Sequence, residues 1–413
     1  MITTHVAGRV IDRPAARFGW GSGLILVVVA FCLNLGVALQ TTTPPVMDSY
    51  EYFNGAWSLA TGSGLQTPYL WNYLSDVQSL PAPAFTYWMP LPALLAAPFV
   101  WLGGPNGAVP AAQPALWVWG AVPMALLGAL VPVIAALIAW KASRRAGLAW
   151  LAGGLTLGTG LYLIRWSNID SYAPFAAATA GAFCFTALGA ASSQRRWAVA
   201  AGIAAALAHL TRADGLLVPL TIALWAMVRV VTGAIGDRGP QTADRSLDSQ
   251  YSSRRPEDPR SATARWLGLF IVSYALALSP WLVRNLWVMG SPLGLGGTRT
   301  LWMLSYDELF SLDPGRLTAA RYLASDLGVQ TFAKLEALLG NLATLWVAQG
   351  QVLALPAALG AAWLWRRQPL TQLVMLYGLF ALAALSLAIV PVLILYLIFS
   401  RQLIRGITSG AVK

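Results

Sequence analysis

Apolar residues fall in runs of about 20 along this chain, the length a hydrocarbon layer about 30 Å thick requires of a helix. The runs are Gly19–Leu39, Leu116–Trp140, Gly147–Ile164, Tyr172–Ala191, Trp197–Leu210, Leu216–Val231, Trp266–Val283, Leu342–Trp365 and Leu370–Phe399. They are continuous instead of alternating, which excludes a membrane β-barrel. A helix satisfies its own backbone hydrogen bonds in lipid. The pattern therefore predicts an all-α, polytopic transmembrane helical bundle of about 9–10 spans. A shorter apolar stretch, Pro90–Leu102, is expected to dip into the interface, or to form half a span.

The polar segments set the orientation. Lys and Arg gather at Arg9, Arg13 and Arg17, at Lys141, Arg144 and Arg145, at Arg195 and Arg196, through Arg229–Arg265, and at Arg366 and Arg367. Basic residues at alternate span ends mark cytoplasmic loops. This places 40–115 outside as a long first loop, makes 233–265 a disordered cytoplasmic linker rich in Arg, Asp, Ser and Pro, and puts 284–341 outside again. The expected organisation is an N-terminal membrane module over 1–232, the linker, and C-terminal membrane helices over 266–413. The last run fits neither one span nor two cleanly, so the number of spans at the C-terminus stays open.

Composition agrees with the pattern: 57% hydrophobic residues, 10% charged, and a mean hydropathy of +0.61. The net charge of +11 is distributed over span ends, not along a stripe, and argues against nucleic acid. Cys32 and Cys184 lie inside apolar runs and read as small core residues. His5 and His209 are too few and too far apart for a zinc motif; His209 reads as a buried, hydrogen-bonded side chain. Gly294-Leu295-Gly296-Gly297 lacks the context of a nucleotide loop and reads as a flexible turn.

Chemistry is expected in the first loop, which carries Asp48, Glu51 and Asp76 and no Lys or Arg. An ionisable group at the membrane surface is a functional candidate. Asp48 reads as a general base or as half of a capping box with Glu51 on a helix over Ser49–Ala60. Asp170 reads as a second site carboxylate or as the N-cap of the helix that starts at Tyr172. Arg165, Arg212 and Arg284 sit at the rims of apolar runs on the same side. They read as a fork-shaped cradle for a phosphate, as snorkelling side chains, or, for Arg212, as a local pair with Asp214. Tyr87 and Trp88, like Trp71-Asn72-Tyr73, suit the headgroup zone, and Tyr87 could stack on a sugar.

Several of these segments together resemble a known family. They are Met47-Asp48-Ser49-Tyr50-Glu51-Tyr52, Ala56–Gly64, Tyr87-Trp88-Met89-Pro90-Leu91-Pro92, Leu210–Leu217, and Pro280-Trp281-Leu282-Val283-Arg284-Asn285 followed by Gly290-Ser291-Pro292. In order and membrane side they resemble GT-C membrane glycosyltransferases, most closely glycosyltransferase family 39, which includes protein O-mannosyltransferases and the lipid A aminoarabinose transferase. The pattern departs in placing Ser49 where many relatives have a second acid, and in lacking a histidine before Tyr87. The resemblance implies transfer of a sugar from a polyprenyl-phosphate donor to an acceptor hydroxyl. It implies Asp48 as the catalytic carboxylate, Asp170 as the later acid that helps shape the site, and rim arginines on the leaving phosphate. Glu51, Tyr87, Arg165, Arg212, Arg284 and Asn285 form the expected substrate-binding set. No cofactor is expected and no metal cluster is indicated, although metal use varies within that superfamily. Expected partners are the lipid-linked donor, a lipid, glycan or protein acceptor, and membrane lipids. The expected location is a bacterial plasma membrane with the site on the external face. A lipid or solute transporter, and an inactive scaffold of the same fold, are the alternatives.

Overall fold

A computed structural model describes residues 18–41, 43–69, 80–105, 114–158, 160–192, 194–232, 259–294, 299–310, 317–348, 354–365 and 368–388. The described chain is a helical membrane protein with a single two-stranded ribbon. Its helices are α1 (Trp20–Ala38), α2 (Met47–Ala60), α3 (Leu91–Leu102), α4 (Pro114–Ser143), α5 (Ala146–Leu157), α6 (Gly160–Trp166), α7 (Tyr172–Ser192), α8 (Arg195–Thr211), α9 (Leu217–Thr232), α10 (Pro259–Met289), α11 (Ala319–Ala324), α12 (Leu327–Ala348), α13 (Ala354–Leu364) and α14 (Pro369–Leu387). Six of the described helices are long and apolar enough to cross a membrane: α1, α4, α7, the stretch Ala213–Val231 that contains most of α9, α10 and α14. The 19 residues of α1 rise about 28 Å, close to the thickness of the hydrocarbon layer. Leu24, Ile25, Val28, Val29 and Leu33 on this helix stay exposed, as side chains facing lipid do.

Lipid tails are as apolar as leucine, so such helices associate through close packing and through polar groups that bridge them. Both devices are present. Ala198, Ala201, Ala205 and Ala208 make one fully buried face of α8, set against Phe183 of α7 and Phe270 of α10. Asn34 of α1 donates from Nδ2 to the Ala125 carbonyl of α4 at 3.1 Å. His209 of α8 meets the Tyr274 hydroxyl of α10 at 2.7 Å through Nδ1 and is buried, as expected.

Several expected boundaries change. The run 147–164 is two helices, α5 and α6. The run 342–365 is described as helix over 342–348 and 354–364, and α12 begins at Leu327, inside a segment expected to be loop. Helix α10 takes in Pro259–Arg265 at one end, the tail of the expected linker, and reaches Met289 at the other. Cys32 is exposed and Cys184 half-buried; both are free thiols. The rest of the linker, the Trp71-Asn72-Tyr73 cluster, Asp76, the N-terminal arginines, Arg366, Arg367 and the chain beyond 388 lie outside the described residues.

The site is assembled at one end of the bundle. There α1 runs into α2, β1 (Gln66–Thr67) pairs antiparallel with β2 (Ala82–Pro83), and α3 leads on to α4. Beneath this loop lies an aromatic core of Tyr52, Phe53, Phe85, Met89, Trp117, Trp166, Ile169 and Trp281. Gly120 of α4 makes room for it, because a Cβ there would stand 2.3 Å from Ile169 Cδ1.

Candidate active site

Asp48 lies in the first turn of α2, and the cap position belongs to Val46, which offers no side-chain bond. The capping-box reading of Asp48 and Glu51 therefore fails.

Asp170 is wholly buried just before α7. Its Oδ2 accepts from Arg165 Nη1 at 2.8 Å, and its Oδ1 accepts from the backbone N–H of Ser171 at 2.6 Å. Arg212, at the end of α8, donates through Nε to Asp214 Oδ1 at 2.9 Å and through Nη1 to Ser171 Oγ at 3.3 Å. The two guanidinium groups share the Tyr172 ring, each 5.1 Å from its centroid, a cation–π arrangement that helps hold both in place. Burial disfavours the charge on either arginine. Asp170 beside Arg165, and Asp214 beside Arg212, more than offset it and hold both pKa values above the ordinary one.

Asp48 differs from these paired acids. It is half-buried, and among the described residues no arginine or lysine pairs with it. Loss of hydration raises its pKa to about 6. The Asp170 charge adds to the rise, and Arg165 and Arg212 oppose it. A carboxylate tuned toward neutrality, unpaired and facing two fixed cations, has the properties of a general base. Tyr52, one helical turn after Asp48, is buried between Asp48, Asp170 and Arg212. Burial and the two carboxylates hold its hydroxyl protonated, well above the ordinary phenol range. Tyr87 is half-buried, packs edge-on against Trp88 with centroids 4.3 Å apart, and is held protonated by burial, by Asp48 and by Tyr306.

The remaining expected residues make contacts within the protein. Glu51 is buried. Its Oε2 accepts from the Tyr69 hydroxyl at 3.2 Å, and it also accepts from the backbone N–H of Phe85; burial raises its pKa to about 7. Phe85 has a φ of 58°, a left-handed conformation costly to a residue with a Cβ, and its ring fills the space above Gly55, where a Cβ would stand 2.3 Å from Phe85 Cζ. Arg284 donates through Nη2 to the Ala84 carbonyl at 2.5 Å and lies 4.7 Å over the Trp281 ring. Asn285 donates through Nδ2 to Pro292 O at 3.2 Å. Glu51 and Arg284 latch the loop around 84–85 to α2 and to the end of α10, while Asn285 ties the end of α10 to the turn at Pro292.

Asp48, Asp170, Arg165, Arg212 and Tyr87 are thus brought together, and Glu51 and Arg284 brace the loop beside them. Tyr52, Ser171, Tyr172 and Tyr306 were not singled out from the sequence. Tyr52 had a readable signal, since it falls one turn from Asp48 on a helix; the others had none. Among the described residues no group of three or more His, Cys, Asp or Glu is placed to hold a metal ion.

Comparison with protein-family models and with curated proteins finds no match. Among solved structures the chain is similar to the archaeal oligosaccharyltransferase AglB from Archaeoglobus fulgidus, in complex with an inhibitory peptide and a dolichol-phosphate, at 13% identity and a TM-score of 0.45. The match covers 95% of this chain and 52% of that one, so the chain spans about half the length of the structure it matches.

Proposed function

We propose that this chain is an integral-membrane glycosyltransferase that moves a sugar from a polyprenyl-phosphate donor to an acceptor hydroxyl at the external face, with Asp48 as general base. The observation that carries the reading is the unpaired Asp48, raised to about 6, beside two arginines already fixed by other acids. The acceptor oxygen attacks the anomeric carbon, its proton passes to Asp48, and the bond from that carbon to the phosphate oxygen breaks. Negative charge then grows on the departing polyprenyl phosphate, where Arg165 and Arg212 can offset it without reorganising. Asp170, wholly buried, acts through Arg165 and Ser171 as a positioning residue. Tyr87, near Asp48, supplies a ring for the sugar to stack on. The first-loop resemblance to GT-C enzymes of the family 39 type supports the same chemistry. The absence of basic residues from the first loop supports an external site.

The test is release of polyprenyl phosphate from polyprenyl-phosphate sugars by the purified chain, compared with Asp48→Asn. The expected result is turnover that the substitution lowers by at least about a hundredfold, the usual scale of general-base catalysis. Equal turnover removes Asp48 from the mechanism. Absence of turnover with every donor favours transport or a scaffold role.

A further inference from the structure

Lys334 of α12 bonds three backbone carbonyls and, among the described residues, no carboxylate. Its Nζ donates to Leu387 O at 2.6 Å, to Leu301 O at 3.3 Å and to Met303 O at 3.5 Å. It also lies 5.0 Å from the centroid of the Tyr322 ring. An ammonium has three donors on a flexible stem, and here each donor has a carbonyl to meet. One carbonyl belongs to the last residue of α14, where helix carbonyls lack intrahelical partners. The other two flank Trp302, at the end of the 3₁₀ turn Thr300–Trp302. Half-burying a cation costs hydration. The carbonyls of two distant segments offset that cost only while both segments stay in place.

The pinned segment leads to the candidate site. Met303 is wholly buried with Leu317 and with Ala333 and Ala337, neighbours of Lys334 on α12. Against this cluster pack Tyr87 and Tyr306. The Asp48 charge acts on both of those rings and raises the pKa of each hydroxyl. The same two stretches of chain touch again at Gly294, where a Cβ would stand 3.1 Å from Thr86 O and 3.7 Å from Tyr87 O. Tyr87 thus rests on a floor that includes Met303, and Lys334 holds that floor to the end of α14.

We propose that Lys334 is a positioning residue: by tying the carbonyls of Leu301 and Met303 to α14 it fixes the ring of Tyr87 beside Asp48, and so sets how tightly the sugar is held. The sugar rests on the function proposed above; the tie between Lys334 and Tyr87 does not. A ring that holds the sugar equally before and during transfer contributes to binding and not to the chemical step. The effect of Lys334 therefore falls on KM, and that of Asp48 on kcat.

The test uses the full chain in detergent, labelled with 3-fluorotyrosine, the Tyr87 signal being identified by Tyr87→Phe. Lys334→Leu should shift or broaden that signal. With polyprenyl-phosphate sugars it should raise KM about tenfold, the scale of one hydrogen bond to a charged group, and leave kcat and its acid limb unchanged. In a chain that already carries Tyr87→Leu it should add little, because changes acting through one contact are not additive. Lys334→Cys alkylated with 2-bromoethylamine, in a chain with Cys32→Ser and Cys184→Ser, regains an ammonium of similar reach and should regain both the signal and KM. If Lys334→Leu does not fold, Lys334→Arg replaces it: a flat fork keeps the charge but cannot meet three carbonyls as an ammonium does, and the same rise in KM at constant kcat is expected. An unmoved Tyr87 signal, a fall in kcat at constant KM, or additive effects of Lys334→Leu and Tyr87→Leu overturns the assignment. A moved signal in a chain that transfers no sugar keeps the positioning role and removes the transferase; transfer with an unmoved signal does the reverse.

Discussion

Replacing Glu51 with Gln should stabilise the protein at alkaline pH and do nothing at acid pH. Glu51 is buried, and its pKa stands at about 7 against an ordinary value of 4.5, chiefly because burial disfavours its charge, with a smaller push from Asp48; the Tyr69 and Phe85 hydrogen bonds act the other way. Between those two values the folded protein holds a proton that the unfolded chain has released. Stability therefore falls as pH rises through that window and levels off above about 7. At 1.36 kcal/mol per unit of pH the full cost of the charged form is about 3 kcal/mol. Glutamine keeps an acceptor oxygen for the loop, and Tyr69 can reorient toward its amide, since the hydroxyl both donates and accepts. An unfolding entropy of about 2.1 cal/mol/K per residue over 413 residues converts this to about 3–4 °C. Melting temperatures of wild type and Glu51→Gln, measured in one detergent from pH 4.5 to 8.5, should coincide at the acid end and separate by that amount at the alkaline end. Asp48, with its own raised pKa, adds a slope at lower pH that is largely common to both proteins, differing only by its small interaction with the Glu51 charge. A constant gap across the range, or a variant less stable at pH 8.5, would refute the account of Glu51 as a charge held against its preference.

Two further predictions concern the site and its support. The acid limb of the transfer rate should have its midpoint near pH 6, where Asp48 takes up its proton; a limb near pH 4 would mean that another group is the base. Gly55→Ala should destabilise by about 1–3 kcal/mol, the usual cost of overpacking, because its Cβ meets the Phe85 ring. Faster backbone hydrogen exchange around Phe85 should accompany the loss, and unchanged exchange would show that the ring simply moves aside.

Much of this could be read from the chain, and the parts that could not have definite physical causes. Long apolar runs mark spans because lipid demands them, and six of the described helices answer to that demand. The same continuity hides interruptions. The break between α5 and α6, near Gly158, is invisible to hydropathy because both flanks are apolar. Helix α12 was missed for the opposite reason: Gln330, Lys334, Glu336 and Asn341 dilute an amphipathic stretch that hydropathy reads as loop. In the site, local pairs such as Arg212 with Asp214 were legible, being two residues apart. The Arg284 latch was not, because its acceptor, the Ala84 carbonyl, is 200 residues away. Sequence position likewise could not show that Asp48 is the unpaired acid, a property of which neighbours fold toward it.

The two site arginines are not equivalent, and their difference predicts which one would meet a phosphate. Arg212 engages Nε, Nη1 and Nη2, to Asp214 and Ser171. Arg165 bonds through Nη1 to Asp170, and its Nε and Nη2 have no acceptor among the described residues. A guanidinium has five N–H donors in a rigid plane, so Arg165 can hold Asp170 with one edge and offer another to phosphate oxygens. Lysine in its place would keep the ion pair, because one ammonium reaches one carboxylate, and would lose the second edge. Arg165→Lys should then weaken polyprenyl-phosphate binding about tenfold, a loss near one charge-assisted hydrogen bond, with the melting temperature nearly unchanged. Arg165→Ala should do something different. It strands Asp170 as a buried, unpaired charge, a change worth about 3–5 kcal/mol, and the added substitution Asp170→Asn should recover most of that stability while leaving donor binding weak. If Arg165→Lys binds donor as wild type does while Arg212→Lys does not, the division of labour runs the other way and the phosphate belongs beside Asp214.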